Sequence, residues 1–163
     1  QISTLDGLII PGGESTVIGQ MSLVNGAIKK IKEKIESGMP VFGICAGMVF
    51  LSKNSQDRIV GNVDQPLLDI LDVKIERNSF GRQKDSFEAK ISMEPIGISS
   101  FHGVFIRAPS VSETGSGVEV LAKFNEKIVA VKQGNVIATA FHPELTKDTS
   151  LHKSFVKLVD NQS

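Results

Sequence analysis

The feature that most constrains this chain is the run Val41–Ile44, four residues without a polar side chain, which passes through Gly43-Ile44-Cys45-Ala46-Gly47 into a second apolar segment at 46–51. A half-exposed strand alternates apolar and polar residues. A short run with no alternation suits a strand covered on both faces, as in the middle of a parallel sheet. The upstream residues repeat the pattern. An apolar run at 5–10, in which Leu8, Ile9 and Ile10 read as buried on both faces, is stopped by Pro11-Gly12-Gly13. A helix is predicted at 25–37: Ile28, Ile31 and Ile35 share one face, Lys29/Glu33 and Lys32/Glu36 pair outside it, and Gly38 and Pro40 end it. With 46–51 as the next helix, strand and helix alternate, which is the order of an α/β fold with a helix-covered parallel sheet.

Beyond residue 70 the pattern changes. The segments 73–76, 86–91, 103–107, 118–124, 127–132 and 136–141 are short, rich in β-formers and separated by Gly, Asn, Pro or Ser. They are expected to pair antiparallel, as an extension of the same sheet. Leu151, Phe155 and Leu158 then fall at helical spacing and predict a closing amphipathic helix at 151–159. No repeat or linker interrupts the chain, and 163 residues fit one domain, long enough to bury roughly two thirds of the surface of its unfolded form.

Composition removes several function classes. Eighteen basic and eighteen acidic residues balance, with no basic stripe interleaved with aromatics, so nucleic acid and membrane surfaces are poor partners. The longest apolar runs fall far short of the ~20 residues of a membrane span. One cysteine cannot close an internal disulfide, which points to a reducing, cytoplasmic setting. One Cys and three scattered His give no zinc-site spacing, so no metal is expected.

The chemistry centres on Cys45. A glycine two residues to either side permits a sharp turn between strand and helix, the arrangement of a nucleophile elbow with Cys in place of Ser. The following helix N-terminus is expected to favour thiolate over thiol, and the Ala46 amide is a natural oxyanion donor. The competing reading is a small buried thiol at a glycine-rich turn. A second signal is Phe141-His142-Pro143-Glu144. In extended chain, residues i and i+2 share a face, so Glu144 can hold one imidazole nitrogen of His142 while the other faces a nucleophile. Standing alone, a His-x-Glu is more often a surface ion pair. A third signal is Pro11-Gly12-Gly13-Glu14-Ser15-Thr16, whose amides at Gly12 and Gly13 suit a second oxyanion donor and a grip on a small polar ligand. The same turn also reads as a phosphate-binding turn, or as a plain helix entry capped by Ser15 or Thr16. His102, in a loop before Gly103, and His152, on the polar side of the last helix, read as solvated.

The order PGGEST, GICAG, FHPE resembles the class I, triad-type glutamine amidotransferases over nearly the whole chain. Within that group Arg77-Asn78-Ser79-Phe80-Gly81-Arg82-Gln83, Ser86-Phe87-Glu88-Ala89 and Gly103-Val104-Phe105-Ile106-Arg107-Ala108-Pro109 resemble the glutaminase-subunit family of pyridoxal 5′-phosphate synthase. The resemblance implies a single amidotransferase domain over 1–163: a flavodoxin-like sheet with helices on both faces and the antiparallel extension. It implies hydrolysis of L-glutamine to glutamate and ammonia, with Cys45 as nucleophile, His142 as general base and acid, and Glu144 as its orienter. It further implies glutamine contacts from Gly13, Glu14, Ser15, Arg77, Ile106 and Arg107, an oxyanion hole from Gly12, Gly13 and Ala46, and a barrel-shaped synthase partner that receives the ammonia. No cofactor is expected, since pyridoxal phosphate is then a product. Members of that family begin with a strand, a Leu-Gln-Gly turn and a helix not seen here, so the chain reads as N-terminally truncated. Readings of another class are a non-catalytic docking module on the same fold, or a cysteine hydrolase or peptidase on a related one.

Overall fold

The structure, a computed structural model, describes residues 2–57, 61–62, 64–81 and 85–162. Its elements in chain order are β1 (Leu8–Ile10), α1 (Ser15–Val24), α2 (Ala27–Glu36), β2 (Val41–Ile44), α3 (Ala46–Leu51), β3 (Ser52–Asp57), β4 (Gly61–Asn62), β5 (Leu71–Arg77), β6 (Ser86–Met93), β7 (Ile98–Ile106), β8 (Ser110–Thr114), β9 (Glu119–Phe124), β10 (Lys127–Gln133), β11 (Val136–Thr139) and α4 (Ser150–Asp160).

The unbroken apolar run does become a central parallel strand. β2 lies between β1 and β11 and runs parallel to both, with Phe42 opposite Ile9 on one side and Ile137 on the other. Every residue of β2 and β11 is buried. Phe42 meets the rings of His152 and Phe155 on α4, at centroid distances of 5.9 and 5.8 Å. Its neighbour Gly43 lies so close to α3 that a Cβ there would stand 2.5 Å from Leu51 Cδ1 and 2.9 Å from the Gly47 carbonyl. Successive strand residues point to opposite faces, so α3 and α4 cover opposite sides of the sheet. The core is dense in large side chains, with Phe42, Phe50, Phe101, Phe105, Phe141 and Met48 essentially inaccessible.

From β11 the sheet continues through β10, antiparallel, which pairs with β9 and also reaches β8 at Ile128 and Val111. β8 joins β5 antiparallel, β5 joins β3 parallel, and β4 ends the sheet. The β9–β10 hairpin turns on Asn125 and Glu126, both at positive φ (48° and 62°), as a tight turn between twisted strands requires.

Several expectations need correction. The antiparallel extension is not all one sheet: β6 and β7 form their own two-stranded sheet, and β5 and β11 each have a parallel neighbour. An aromatic cluster accompanies the separation, since Phe87 of β6 stacks on Phe105 of β7 at 4.5 Å and on Phe124 of β9 at 5.3 Å. The first strand covers only Leu8–Ile10 of the run at 5–10, and Ile9 is 43% exposed rather than buried, because β1 pairs with β2 alone among the described strands. The helix predicted at 25–37 starts after Gly26, whose φ of 68° separates it from α1, which the sequence offered only as a possible helix entry at Ser15 or Thr16. His102 lies in β7 rather than a loop, and its Nε2 is 2.7 Å from Glu88 Oε2 on β6. His152 is half-buried against Phe42. Arg82 and Gln83 of the resemblance lie outside the described residues.

Candidate active site

β2 delivers Cys45 to the edge of the sheet. Its amide still donates to the Thr139 carbonyl of β11 at 2.7 Å, so the ladder holds the residue up to the point where the chain turns. Cys45 itself has φ 50° and ψ −103°, a conformation an L-residue adopts only at a cost of order 1–3 kcal/mol. The surroundings impose it. A Cβ on Gly47 would collide with the Ile10 carbonyl of β1, and one on Gly43 would collide with α3, so both glycines are there to let three backbones approach.

The thiol this turn presents is 8% exposed, with Sγ 4.0 Å from the Ile106 carbonyl oxygen. Burial pushes its pKa up from 9.0 to about 11. The Ala46 amide pulls the other way, the Glu144 carboxylate adds to the rise, and the Arg107 guanidinium opposes it. The expectation that the helix N-terminus would favour the thiolate is thus corrected: desolvation outweighs a single amide on a helix of six residues.

His142 follows β11. Its backbone N–H donates to the Val104 carbonyl of β7 at 2.8 Å, and its Nδ1 lies 2.7 Å from Glu144 Oε1. The imidazole is mostly covered while Glu144 is 41% exposed. Between them Pro143 opens a short 3-10 turn, Pro143–Leu145, so the pair meets across a turn rather than along the extended strand the sequence suggested. Gly12 packs against this imidazole so tightly that a Cβ there would run into Cε1.

Gly13, Glu14, Ser15, Cys45, Ala46, Val49, Arg77, Asn78, Ile106, Arg107, Pro109 and His142 line one cavity of about 370 Å³. Of the residues marked from sequence, only Gly12 and Glu144 stand outside this wall, one against the imidazole and the other hydrogen-bonded to it. Elsewhere in the lining, Arg77 Nη2 sits 3.0 Å from Glu14 Oε1. Glu14 is also the N-cap of α1, accepting from the Thr16 amide at 3.4 Å, in place of the Ser15 or Thr16 cap the sequence suggested. Ser15 is buried, its hydroxyl donating to Gln65 Oε1 at 3.1 Å. Arg107 and Asn78, both in the lining, hold positive φ (41° and 51°).

Sequence reasoning missed Val49, Asn78 and Pro109 in the lining and Gln65 behind it. Asn78 carried a usable signal, because Asn tolerates the left-handed conformation better than other residues. Among the described residues no group of three or more His, Cys, Asp or Glu side chains is placed to hold a metal ion, and no helix is long and apolar enough to cross a membrane.

A helix-covered mixed sheet whose parallel strands bring a cysteine elbow and a His–Glu pair to one cavity has the architecture of the class I glutamine amidotransferases. The SNO glutamine amidotransferase family model matches residues 1–161, and the chain belongs to that family. It is 66% identical over 159 residues to the pyridoxal 5′-phosphate synthase subunit PdxT of Nitrosopumilus maritimus, covering 98% of this chain and 78% of that protein. It is 48% identical over 159 residues to the PdxT subunit of Moorella thermoacetica, covering 98% of this chain and 82% of that protein. A crystal structure of a glutamine amidotransferase superposes with a TM-score of 0.88 at 46% identity, covering 96% of this chain and 80% of the other. The chain is accordingly a glutaminase.

Proposed function

We propose that this chain hydrolyses L-glutamine at Cys45, with His142 and Glu144 completing the catalytic group, and passes the ammonia to a pyridoxal 5′-phosphate synthase subunit. The observation that carries the reading is the 2.7 Å contact between His142 Nδ1 and Glu144 Oε1 beside the cavity that Cys45 lines. With Nδ1 committed to the carboxylate, Nε2 is left to exchange protons. A thiol with a pKa near 11 rests protonated at neutral pH. His142 therefore takes the thiol proton as sulfur attacks the glutamine amide carbon, and Glu144 stabilises the imidazolium.

The imidazolium proton goes to the departing nitrogen, which leaves as ammonia when the C–N bond breaks. Water then gives a proton to His142 and adds to the thioester; the C–S bond breaks, the proton returns to sulfur, and glutamate is released. The amides of Ala46 and of the Gly12–Gly13 turn hold the developing oxyanion in both halves. Arg77 pairs with the substrate α-carboxylate, for which a guanidinium fork is well suited, and Glu14 faces the α-ammonium. Ser15, Ile106 and Arg107 complete the grip.

The synthase partner is supported by the relatives' names. The test is ammonia release from glutamine, measured with and without the synthase subunit, with asparagine as the control substrate. Glutamine-dependent release that the partner increases is the expected result. Release indifferent to substrate length, or none under either condition, refutes the reading.

A further inference from the structure

The cavity's polar wall rests on a residue that neither lines it nor stands near it in sequence. Gln65 is 8% exposed, and every polar atom of its side chain is engaged. Oε1 accepts from Ser15 Oγ at 3.1 Å and from Thr16 Oγ1 at 2.9 Å, while Nε2 donates to Ser55 Oγ at 2.9 Å. Ser15 and Ser55 are each only 3% exposed, so water does not substitute for these bonds.

The segment that carries Gln65 is itself fixed to α3. Leu68 N–H donates to the Phe50 carbonyl at 2.8 Å and Ile70 N–H to the Leu51 carbonyl at 3.1 Å, and the Leu68 side chain is fully buried. The next residue, Pro66, packs under α1 at Gly19, where a Cβ would stand 2.5 Å from the Pro66 carbonyl oxygen. One end of α3 therefore bears the nucleophile and the other bears the loop that grips the start of α1. By contrast Gly13 has φ 139° and nothing within 4 Å of where its Cβ would be, so the turn is held at its flanks, by Gly12 against the His142 imidazole and by Ser15 and Thr16 on Gln65.

We infer that Gln65 is a positioning residue for the reaction: its carboxamide sets the Gly13–Ser15 turn at a fixed distance from Cys45 by tying both to α3. The inference rests on the glutaminase reading, and it touches no reacting atom. Removing the carboxamide lets the turn drift from the thiol while the thiol keeps its own place. A misplaced donor in such a site costs about tenfold or more even when the chemistry is intact.

The test compares two alkylating reagents on the full chain: iodoacetamide, which needs only the thiol, and a glutamine-shaped diazoketone, which needs the turn as well. Relative to wild type, Gln65→Leu should lower the ratio of diazoketone to iodoacetamide inactivation rates about tenfold, with the iodoacetamide rate within twofold. Gln65→Glu, which retains an acceptor for both hydroxyls, should recover most of the ratio. If Gln65→Leu does not fold, Thr16→Val removes one of the two hydroxyl donors and should still lower the ratio about threefold. A ratio unchanged in the variant that folds, or both rates reduced together, overturns the proposal. The glutaminase reading fails separately, by wild type showing no preference for the glutamine-shaped reagent.

Discussion

The two walls of the cavity are built by opposite means. On the nucleophile wall, Cys45 is fixed by a strand ladder, by Gly43 and Gly47 packed against neighbouring backbones and by nearly complete burial. On the recognition wall, Glu14 is half-exposed, Arg77 and Glu14 hold each other across 3.0 Å, and Arg107 stands in solvent. The proposed nucleophile sits where the backbone is over-determined, because strain at φ 50° persists only if the surroundings enforce it. The charged groups sit where partners can be exchanged, because an exposed ion pair holds with no more than about 1 kcal/mol.

If that division is right, damage to the nucleophile wall removes chemistry, and damage to the recognition wall changes affinity. The largest effect should come from Cys45→Ala. Glutaminase rate is expected to fall at least ~10³-fold while circular dichroism and melting stay near wild type. Activity within tenfold of wild type would remove the nucleophile assignment. Glu144→Gln should follow, with kcat lowered ~10²-fold and glutamine binding by calorimetry little changed, because the amide still hydrogen-bonds Nδ1 but no longer stabilises an imidazolium. Affinity lost with kcat intact would move Glu144 to the recognition wall.

The nucleophile wall also makes a pH prediction. The folded state holds the Cys45 proton more tightly than the unfolded chain, with a pKa of about 11 against 9.0. The resulting stabilisation is complete below pH 9 and is lost as pH rises through about 11. Wild type should therefore lose about 2–3 kcal/mol more than Cys45→Ala between these limits in urea melts. Parallel losses in the two proteins would mean that the thiol is not buried in solution.

The contrast between the walls also explains what the sequence could and could not reveal. Cys45, Gly43 and Gly47 were legible because their roles depend on neighbours in the chain: a buried strand, a sharp turn, a helix. His142 and Glu144 were legible as a pair for the same reason. Arg77 was not. As a residue type it is an ordinary surface charge, and only the family resemblance singled it out. Gln65 had no local signal, since its partners at Ser15 and Thr16 lie 50 and 49 residues away.

The same distinction runs through the fold. β2 could be read from its own residues, whereas β3 (Ser-Lys-Asn-Ser-Gln-Asp) is a strand only because β5 and β4 pair with it. α1 was read only as a possible helix entry at Ser15 or Thr16, with no extent, because Val17, Met21, Leu23 and Val24 are all exposed and its apolar residues do not trace a buried stripe. The separate β6–β7 sheet packs through aromatic contacts with Phe80 and Phe124, which no period within either strand encodes.

On the recognition wall, Arg77→Ala should raise the glutamine KM by tenfold or more, corresponding to about 1.5–3 kcal/mol for a hydrogen bond to a charged group, while iodoacetamide reactivity of Cys45 stays the same. An equal loss of thiol reactivity would show that Arg77 supports the elbow, and the two walls would no longer be separable.

The smallest effect, and the sharpest test of the comparison, belongs to Glu14→Gln. Glu14 has two contacts in the structure: it caps α1 through the Thr16 amide and it pairs with Arg77. The glutamine side chain retains the capping oxygen, so the helix should stay in place and melting should barely move. What is lost is the negative charge. An incoming glutamine brings a carboxylate that competes with Glu14 for Arg77 and an ammonium that Glu14 can attract, so the two consequences of removing the charge have opposite sign. Arg77 presents a fork of several donors, and one guanidinium can serve two carboxylates at once. Competition is therefore the weaker effect, and the lost attraction for the ammonium should dominate. KM is expected to rise about threefold, a change of well under 1 kcal/mol that fits an exposed charge, with kcat unchanged. A lower KM would mean instead that Glu14 mainly restrains Arg77 until substrate displaces it, and that even the exposed wall carries a built-in constraint.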